Sequence, residues 1–152
     1  MMMKILLING PNLNMLGNRD QGLYGSYSLE TIQTEIISRG QVLGLDVECF
    51  QSNSEGAIID FLQNRAKESS GVIINPGALT HYSIALRDAL VDSNLPAVEV
   101  HLSNIYARES WRHVSVVAPI SLGQISGLGY RGYLLAMDFM ADYLKEGTGI
   151  DG

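Results

Sequence analysis

The sequence predicts a right-handed doubly wound α/β domain, a parallel sheet with helices on both faces. Two observations carry that prediction. Four short apolar runs end in polar or glycine-rich residues, as strands buried on both faces do. Segments with helical spacing of apolar residues alternate with them, and no linker, repeat or low-complexity tract intervenes.

The strands are expected at Lys4 to Ile8, Asp46 to Phe50, Val72 to Ile74 and Ala97 to His101, with a weaker fifth at Val114 to Ala118. Leu29, Ile32, Ile36 and Leu43 fall on one helical face behind a cap at Ser28. Ser52 and Glu55 have capping-box spacing ahead of Ile58, Ile59, Leu62 and Ala66. Thr80 is placed to cap a helix that carries Ile84 and Leu90. Tyr133, Met137, Met140 and Leu144 form one stripe on the last helix, which reads as core packing.

The 152 residues suit a single domain spanning 1–152 with a sizeable core. A net charge of −6 argues against nucleic acid as partner, because phosphate binding needs a basic surface. It leaves room for a small anionic ligand, since a few arginines act locally. The single cysteine, Cys49, forms no internal disulfide and fits a reducing cytoplasm; its apolar setting reads as a buried small hydrophobe. No apolar run approaches the ~20 residues a membrane helix needs, and the apolar start from Met1 to Ile8 is too short for a signal peptide.

In open parallel sheets ligands bind outside the carboxyl ends of the strands, and chemistry collects there in this sequence. The first strand runs into Asn9-Gly-Pro-Asn12-Leu-Asn14 and then Arg19 and Tyr24-Gly25; the second into Asn53 and Glu55. The third runs into Asn75-Pro-Gly-Ala-Leu-Thr80-His81, and the fourth carries Glu99-Val-His101 into Ser103-Asn104, with Arg108 and Arg112-His113 beyond. Turn chemistry explains some of the Asn, Gly and Pro. It does not explain Arg, Tyr and His recurring at several strand ends.

Glu99 and His101, two apart on a strand, share a face while Val98 and Val100 point the other way. A carboxylate beside an imidazole orients the ring and favours its protonated form, which suits a general acid; a core histidine satisfied by a hydrogen bond would look the same. His81 and Asp88, seven apart on the expected third helix, share a face, with His81 in the anion-friendly first turn. Tyrosine serves as a base only as phenolate, which a permanently charged arginine stabilises. Arg19 and Tyr24 fit that pairing, and Tyr27 competes by proximity.

Taken together, these segments resemble the type II 3-dehydroquinate dehydratases. The resemblance rests on Ile8-Asn-Gly-Pro-Asn-Leu-Asn14, Gln51-Ser-Asn-Ser-Glu-Gly56, Ile74-Asn-Pro-Gly-Ala-Leu-Thr-His81 with Arg87-Asp88, and Val98-Glu-Val-His-Leu-Ser-Asn104. Ala107-Arg-Glu109, Arg112-His113 and Gly127 to Tyr133 complete it in the expected order over nearly the whole chain. It implies a flavodoxin-like sandwich, strand order 2-1-3-4-5, and trans dehydration of 3-dehydroquinate to 3-dehydroshikimate in the shikimate pathway, without cofactor or metal. It further implies Tyr24 as base, activated by Arg19 and Arg108; Asn12 holding a water at the enolate oxygen; and His101, oriented by Glu99, as acid. Asn75, His81, Asp88, Leu102, Ser103 and Arg112 would bind substrate. Asp88 would reach a neighbouring subunit of a homododecamer, a tetramer of trimers. Met15, Trp111 and Asp20-Gln21 depart from the family's usual leucine, phenylalanine and acid-proline, and Gln21 bears on the closing of the Arg19–Tyr24 loop.

Other chemistries fit less well. Gly127-Leu-Gly129-Tyr-Arg-Gly132 spells a dinucleotide fingerprint, but no βαβ unit remains after it. His81, His101 and His113 stand on separate segments without metal-site spacing, and no Gly-x-Ser-x-Gly elbow occurs. None of Lys4, Lys67 and Lys145 follows a strand into the crevice to form an imine. The non-enzyme alternative is a flavodoxin-like small-anion binding or signalling module without turnover.

Overall fold

The computed structural model describes residues 2–147. Five parallel strands form one sheet in the order β2-β1-β3-β4-β5: β1 (Met3–Asn9), β2 (Leu45–Gln51), β3 (Gly71–Asn75), β4 (Ala97–His101) and β5 (Gly123–Ser126). The helices are the short α1 (Gln21–Tyr24), α2 (Leu29–Val42), α3 (Glu55–Arg65), α4 (Ile84–Ser93) and α5 (Arg131–Lys145). The expected doubly wound α/β sandwich and its strand order are both observed.

Alternation along each strand builds two cores. Ile5, Leu7, Ile73, Val98 and Val100 pack on one face beneath α2 and α5. Leu6, Ile8, Val72, Ile74 and Ala97 pack on the other beneath α3 and α4. Every one of these side chains is at least 96% buried, and each stabilises the fold by roughly 1.5–3 kcal/mol when it is large and fully enclosed. The stripe on α5 is core as expected, with Tyr133, Met137 and Met140 at 0% exposure and Leu144 partly buried against them.

The starts of α2, α3 and α4 are set by serines: the hydroxyls of Ser28, Ser54 and Ser83 accept from the amides of Thr31, Ala57 and Leu86. Ser28 stands as expected, but the other two correct the sequence reading. Ser52 instead accepts from the Ser54 amide in the approach to α3. Thr80 lies in a 3-10 turn (Gly77–His81) ahead of α4, so His81 is not on that helix and does not share a face with Asp88.

The fifth strand is also a correction. Residues 114–118 are not a strand: the Val116 amide donates to the Thr80 carbonyl and Val117 is fully buried in the α3/α4 core, so this apolar run packs onto that face as a turn. The real β5 is Gly-Gln-Ile-Ser at the sheet edge, half-exposed and with only one large apolar residue. The fingerprint stretch from Gly127 does sit between β5 and α5, but among the described residues no strand follows α5. None of the described helices is long and apolar enough to cross a membrane.

The carboxyl ends of β1 and β3 approach closely. The Gly10 amide donates to the Asn75 carbonyl at 2.8 Å, and a Cβ on Gly10 would lie 2.3 Å from the Pro76 carbonyl oxygen. Gly77, at φ +60°, turns the chain beside Pro11. Gly10→Ala is therefore expected to lower stability by about 1–3 kcal/mol, as overpacking against fixed backbone does, read as a shift of the urea unfolding midpoint.

Candidate active site

A cavity of about 110 Å³ opens where the carboxyl ends of β1, β3 and β4 meet. Its floor begins at the paired strand ends Asn9 and Asn75. Tyr133 rises from α5 beneath them: its hydroxyl donates to Asn9 Oδ1 at 2.5 Å and accepts from Asn75 Nδ2 at 2.9 Å. Asn75 Oδ1 takes the Gly77 amide at 3.1 Å. One amide hydrogen of Asn75 is left for the cavity. Full burial pushes the Tyr133 hydroxyl far up, so it stays a neutral hydrogen-bonding group.

The β1 side brings Asn12, which adopts the left-handed region at φ 70° that asparagine tolerates. Its amide donates to Asn53 Oδ1 at 2.9 Å, and Gln51 Nε2 braces both Gly10 O and Asn53 Oδ1 at 3.2 Å. Beyond it α1 carries the phenol. Arg19 Nη2 donates to the Tyr24 hydroxyl at 3.1 Å, its guanidinium lies 4.0 Å from the ring centroid, and that of Arg108 lies 5.4 Å away. Two cations thus face one tyrosine. Tyr27 instead packs edge-on against Tyr130 and takes no part in the cavity.

The α1 turn is fastened at its start. Asp20 caps it through the Gly22 amide, and Gln21 Nε2 reaches back to the Gly17 carbonyl at 3.3 Å. Gln21 thereby supplies a side-chain tether where a proline would have stiffened the backbone.

Opposite stands His101 at the end of β4, 5% exposed, with the fully buried Glu99 behind it. The imidazole Nε2 is hydrogen-bonded to Glu99 Oε2. Three further donors converge on that carboxylate: Thr80 Oγ1 at 2.8 Å and Gln124 Nε2 at 2.8 Å on Oε2, and Ser115 Oγ at 2.7 Å on Oε1. Burial alone would push the Glu99 carboxyl up, but the hydrogen bond and charge of His101, then the two hydroxyls, outweigh it and hold it below the usual carboxylate range.

The remaining expected residues complete the rim. Leu102 and Ser103 follow β4 into the cavity wall, and Arg108 Nη1 donates to Ser103 Oγ at 3.2 Å. His81 shares Nδ1 with the Val114 carbonyl at 2.8 Å, and Arg112 lines the mouth while its Nε holds Glu109 at 2.5 Å. Of the expected site residues only Glu99, behind His101, and Asp88, exposed on α4, do not line the cavity. Thr80, Ser115, Gln124, Asn53 and Tyr133 support the site in ways the sequence reading did not assign. Asn53 stood among the polar groups after the second strand, Tyr133 in the core stripe of the last helix and Thr80 as a cap, while nothing local marked Ser115 and Gln124.

His81, His101 and His113 are each tied to separate partners, and among the described residues no three potential ligands gather as a metal site.

Residues 3–141 match the family model described as Dehydroquinase class II. The chain belongs to that family. It is 54% identical to a 3-dehydroquinate dehydratase of Roseiflexus castenholzii over 97% of this chain and 94% of the relative. It is also 54% identical to one of Halothermothrix orenii, over 97% and 99%. Among solved structures, the type II dehydroquinase of Butyrivibrio crossotus superposes with a TM-score of 0.89 at 48% identity, covering 91% of this chain and 97% of that one. The corresponding enzyme of Propionibacterium acnes gives 0.88 at 44%, covering 93% and 99%.

Because the folded Glu99 carboxyl is held low, folding stability is linked to pH. The unfolded chain binds the Glu99 proton at a higher pH than the folded chain, so this stability is complete above the usual carboxylate range and is lost as pH falls through the folded value. Glu99→Gln is expected to lower stability near neutrality and to flatten the acid-side decline, measured by urea unfolding from roughly pH 7 to pH 3.

Proposed function

We propose that the chain is a 3-dehydroquinate dehydratase of the shikimate pathway, a hydro-lyase that forms 3-dehydroshikimate by trans elimination through an enolate. The observation that carries this reading is a tyrosine under two guanidinium groups facing a carboxylate-backed imidazole across one small cavity. Loss of a β-hydroxyl from a ketone needs a base at the acidic carbon, a stabilised enolate and an acid at the leaving oxygen. One chain segment supplies each.

Tyr24, as phenolate stabilised by Arg19 and Arg108, takes the C2 proton beside the C3 ketone. The electron pair moves onto the ketone oxygen, where Asn12 holds a water against the enolate. The enolate collapses, the C1–O bond breaks, and His101 gives its proton to the departing hydroxyl, which leaves as water. Glu99 compensates the imidazolium before transfer and keeps the ring aimed. Asn75, His81, Leu102 and Ser103 bind ring hydroxyls, and Arg112 meets the carboxylate with the nitrogens that Glu109 does not occupy. No metal or redox cofactor enters this sequence of steps.

A single domain carries the whole activity. Asp88, exposed on α4 and outside the cavity, reaches the site of a neighbouring subunit, and the working assembly is a homododecamer built as a tetramer of trimers. Exposed Tyr82, Ile84, Trp111 and Val114, grouped around the start of α4, support burial of this side between subunits. The substrate is a small organic anion, and neither nucleic acid nor membrane takes part. A cytoplasmic setting suits the lone half-buried Cys49, whose thiol burial, with the nearby Glu48 charge, pushes up to about 11.

Incubation with 3-dehydroquinate is expected to raise the ultraviolet absorbance of the conjugated enone, with or without chelator. Tyr24→Phe and His101→Ala should each lower kcat by about 10²–10⁴-fold, the usual range for a positioned acid or base. Turnover that survives Tyr24→Phe would remove the assigned base, and ligand binding without turnover in folded wild type would favour the binding-module alternative. Light scattering after size exclusion tests the assembly: a monomer with full activity would contradict the role given to Asp88.

A further inference from the structure

The hydrogen atoms around Glu99 can be accounted for one by one. Ser115 Oγ accepts the amides of Val117 at 3.2 Å and Ala118 at 2.9 Å, which commits both of its lone pairs. Thr80 Oγ1, 2.9 Å from Ser115 Oγ, therefore cannot donate to it and gives its one proton to Glu99 Oε2. Ser115 faces Glu99 Oε1 at 2.7 Å, and a charged oxygen takes its proton in preference to a neutral hydroxyl. Gln124 Oε1 is occupied by the Tyr106 hydroxyl at 3.0 Å, so the amide presents its NH₂, a pure donor, to Glu99 Oε2. Three partners can only give.

We propose that Thr80, Ser115 and Gln124 are positioning residues that clamp Glu99 as an acceptor, leaving His101 as the only group able to exchange a proton with it. The clamp sets how firmly His101 holds the proton that the reaction delivers, and so the alkaline edge of the working pH range. This deepens the assignment of His101 as acid and rests on it. The clamp comes from three separate segments, the turn before α4, the turn after Arg112 and the edge strand β5, so no single element fixes it.

The other charged or titratable groups are distributed around the pair. Arg19, Tyr24, Arg108, Arg112 and His81 line the same cavity on the His101 side. Arg87 of α4 points toward the turn through its bond to the Val116 carbonyl, and Tyr106 stands behind Gln124. Thr80→Val leaves every one of these bonds in place and isolates the clamp from the wider field, whereas Gln124→Met also removes the acceptor of the Tyr106 hydroxyl.

Removing a donor from a carboxylate raises its proton affinity and tightens its hold on the neighbouring imidazolium, so His101 keeps its proton to higher pH. In Gln124→Met and Thr80→Val, the His101 imidazole titration followed by ¹⁵N NMR is expected to move up by about one pH unit, the size of one hydrogen bond to a charged group. The alkaline limb of kcat should move with it. Thr80→Ser keeps the hydroxyl and should titrate as wild type does. A titration unmoved in both variants with wild-type near-ultraviolet circular dichroism, or equally moved in Thr80→Ser, would overturn the clamp. Wild type that fails to turn over 3-dehydroquinate would strike the proposed function instead, and the NMR titration would still decide the clamp.

Discussion

Everything at this site depends on keeping one carboxylate, Glu99, charged at zero exposure between the sheet and α4. An unpaired charge at such a depth would be several kcal/mol out of balance. The fold answers with four donors, three of them neutral, so that the pair with His101 is not the sole compensation. That requirement explains why a turn, an edge strand and a loop all converge on the middle of β4. It also explains the turn at residues 114–118: the Val116 amide on the Thr80 carbonyl brings Ser115 and Thr80 to the carboxylate together.

The proposed acid, His101, and the proposed base, Tyr24, are held by opposite means. His101 is part of the sheet, its ring fixed from behind by a buried network, and it cannot move without disturbing the core. Tyr24 rides on a four-residue helical turn fastened by Asp20 and Gln21 and steered by two arginines. Both side chains line the one cavity, the imidazole from the end of a core strand and the phenol from a surface segment. A larger cavity of about 440 Å³ lies beside α1 and shares Tyr24, Leu102, Ser103 and Arg108 with the site.

Most of the fold was legible because buried parallel strands write continuous apolar runs. β5 was not, because an edge strand half-open to solvent needs only Ile125, whereas the fully buried Val117 belongs to a turn whose apolar character mimics a strand. The caps of α3 and α4 were displaced by two and three residues, since several serines and threonines near each start offer the same chemistry and only tertiary bonds choose among them. Thr80 illustrates this: its hydroxyl serves Glu99, and Ser83 caps α4 in its place. The cavity-lining residues were found because polar groups at strand ends stand out against apolar runs. Of the residues behind them, Ser115 and Gln124 were invisible because they reach the site across the fold from segments with no local signature, and Tyr133 was legible as core but not as a partner of Asn9 and Asn75.

In the proposed reaction, proton removal by Tyr24 and departure assisted by His101 occur on opposite sides of the substrate ring. The most direct measurement is turnover of 3-dehydroquinate carrying deuterium at C2 on the face opposite the C1 hydroxyl, with the product read by mass spectrometry. The account predicts loss of the label to solvent and slower turnover when that bond is broken. Product that retains the label would mean removal from the same face as the leaving hydroxyl, and would contradict the assigned base and acid together.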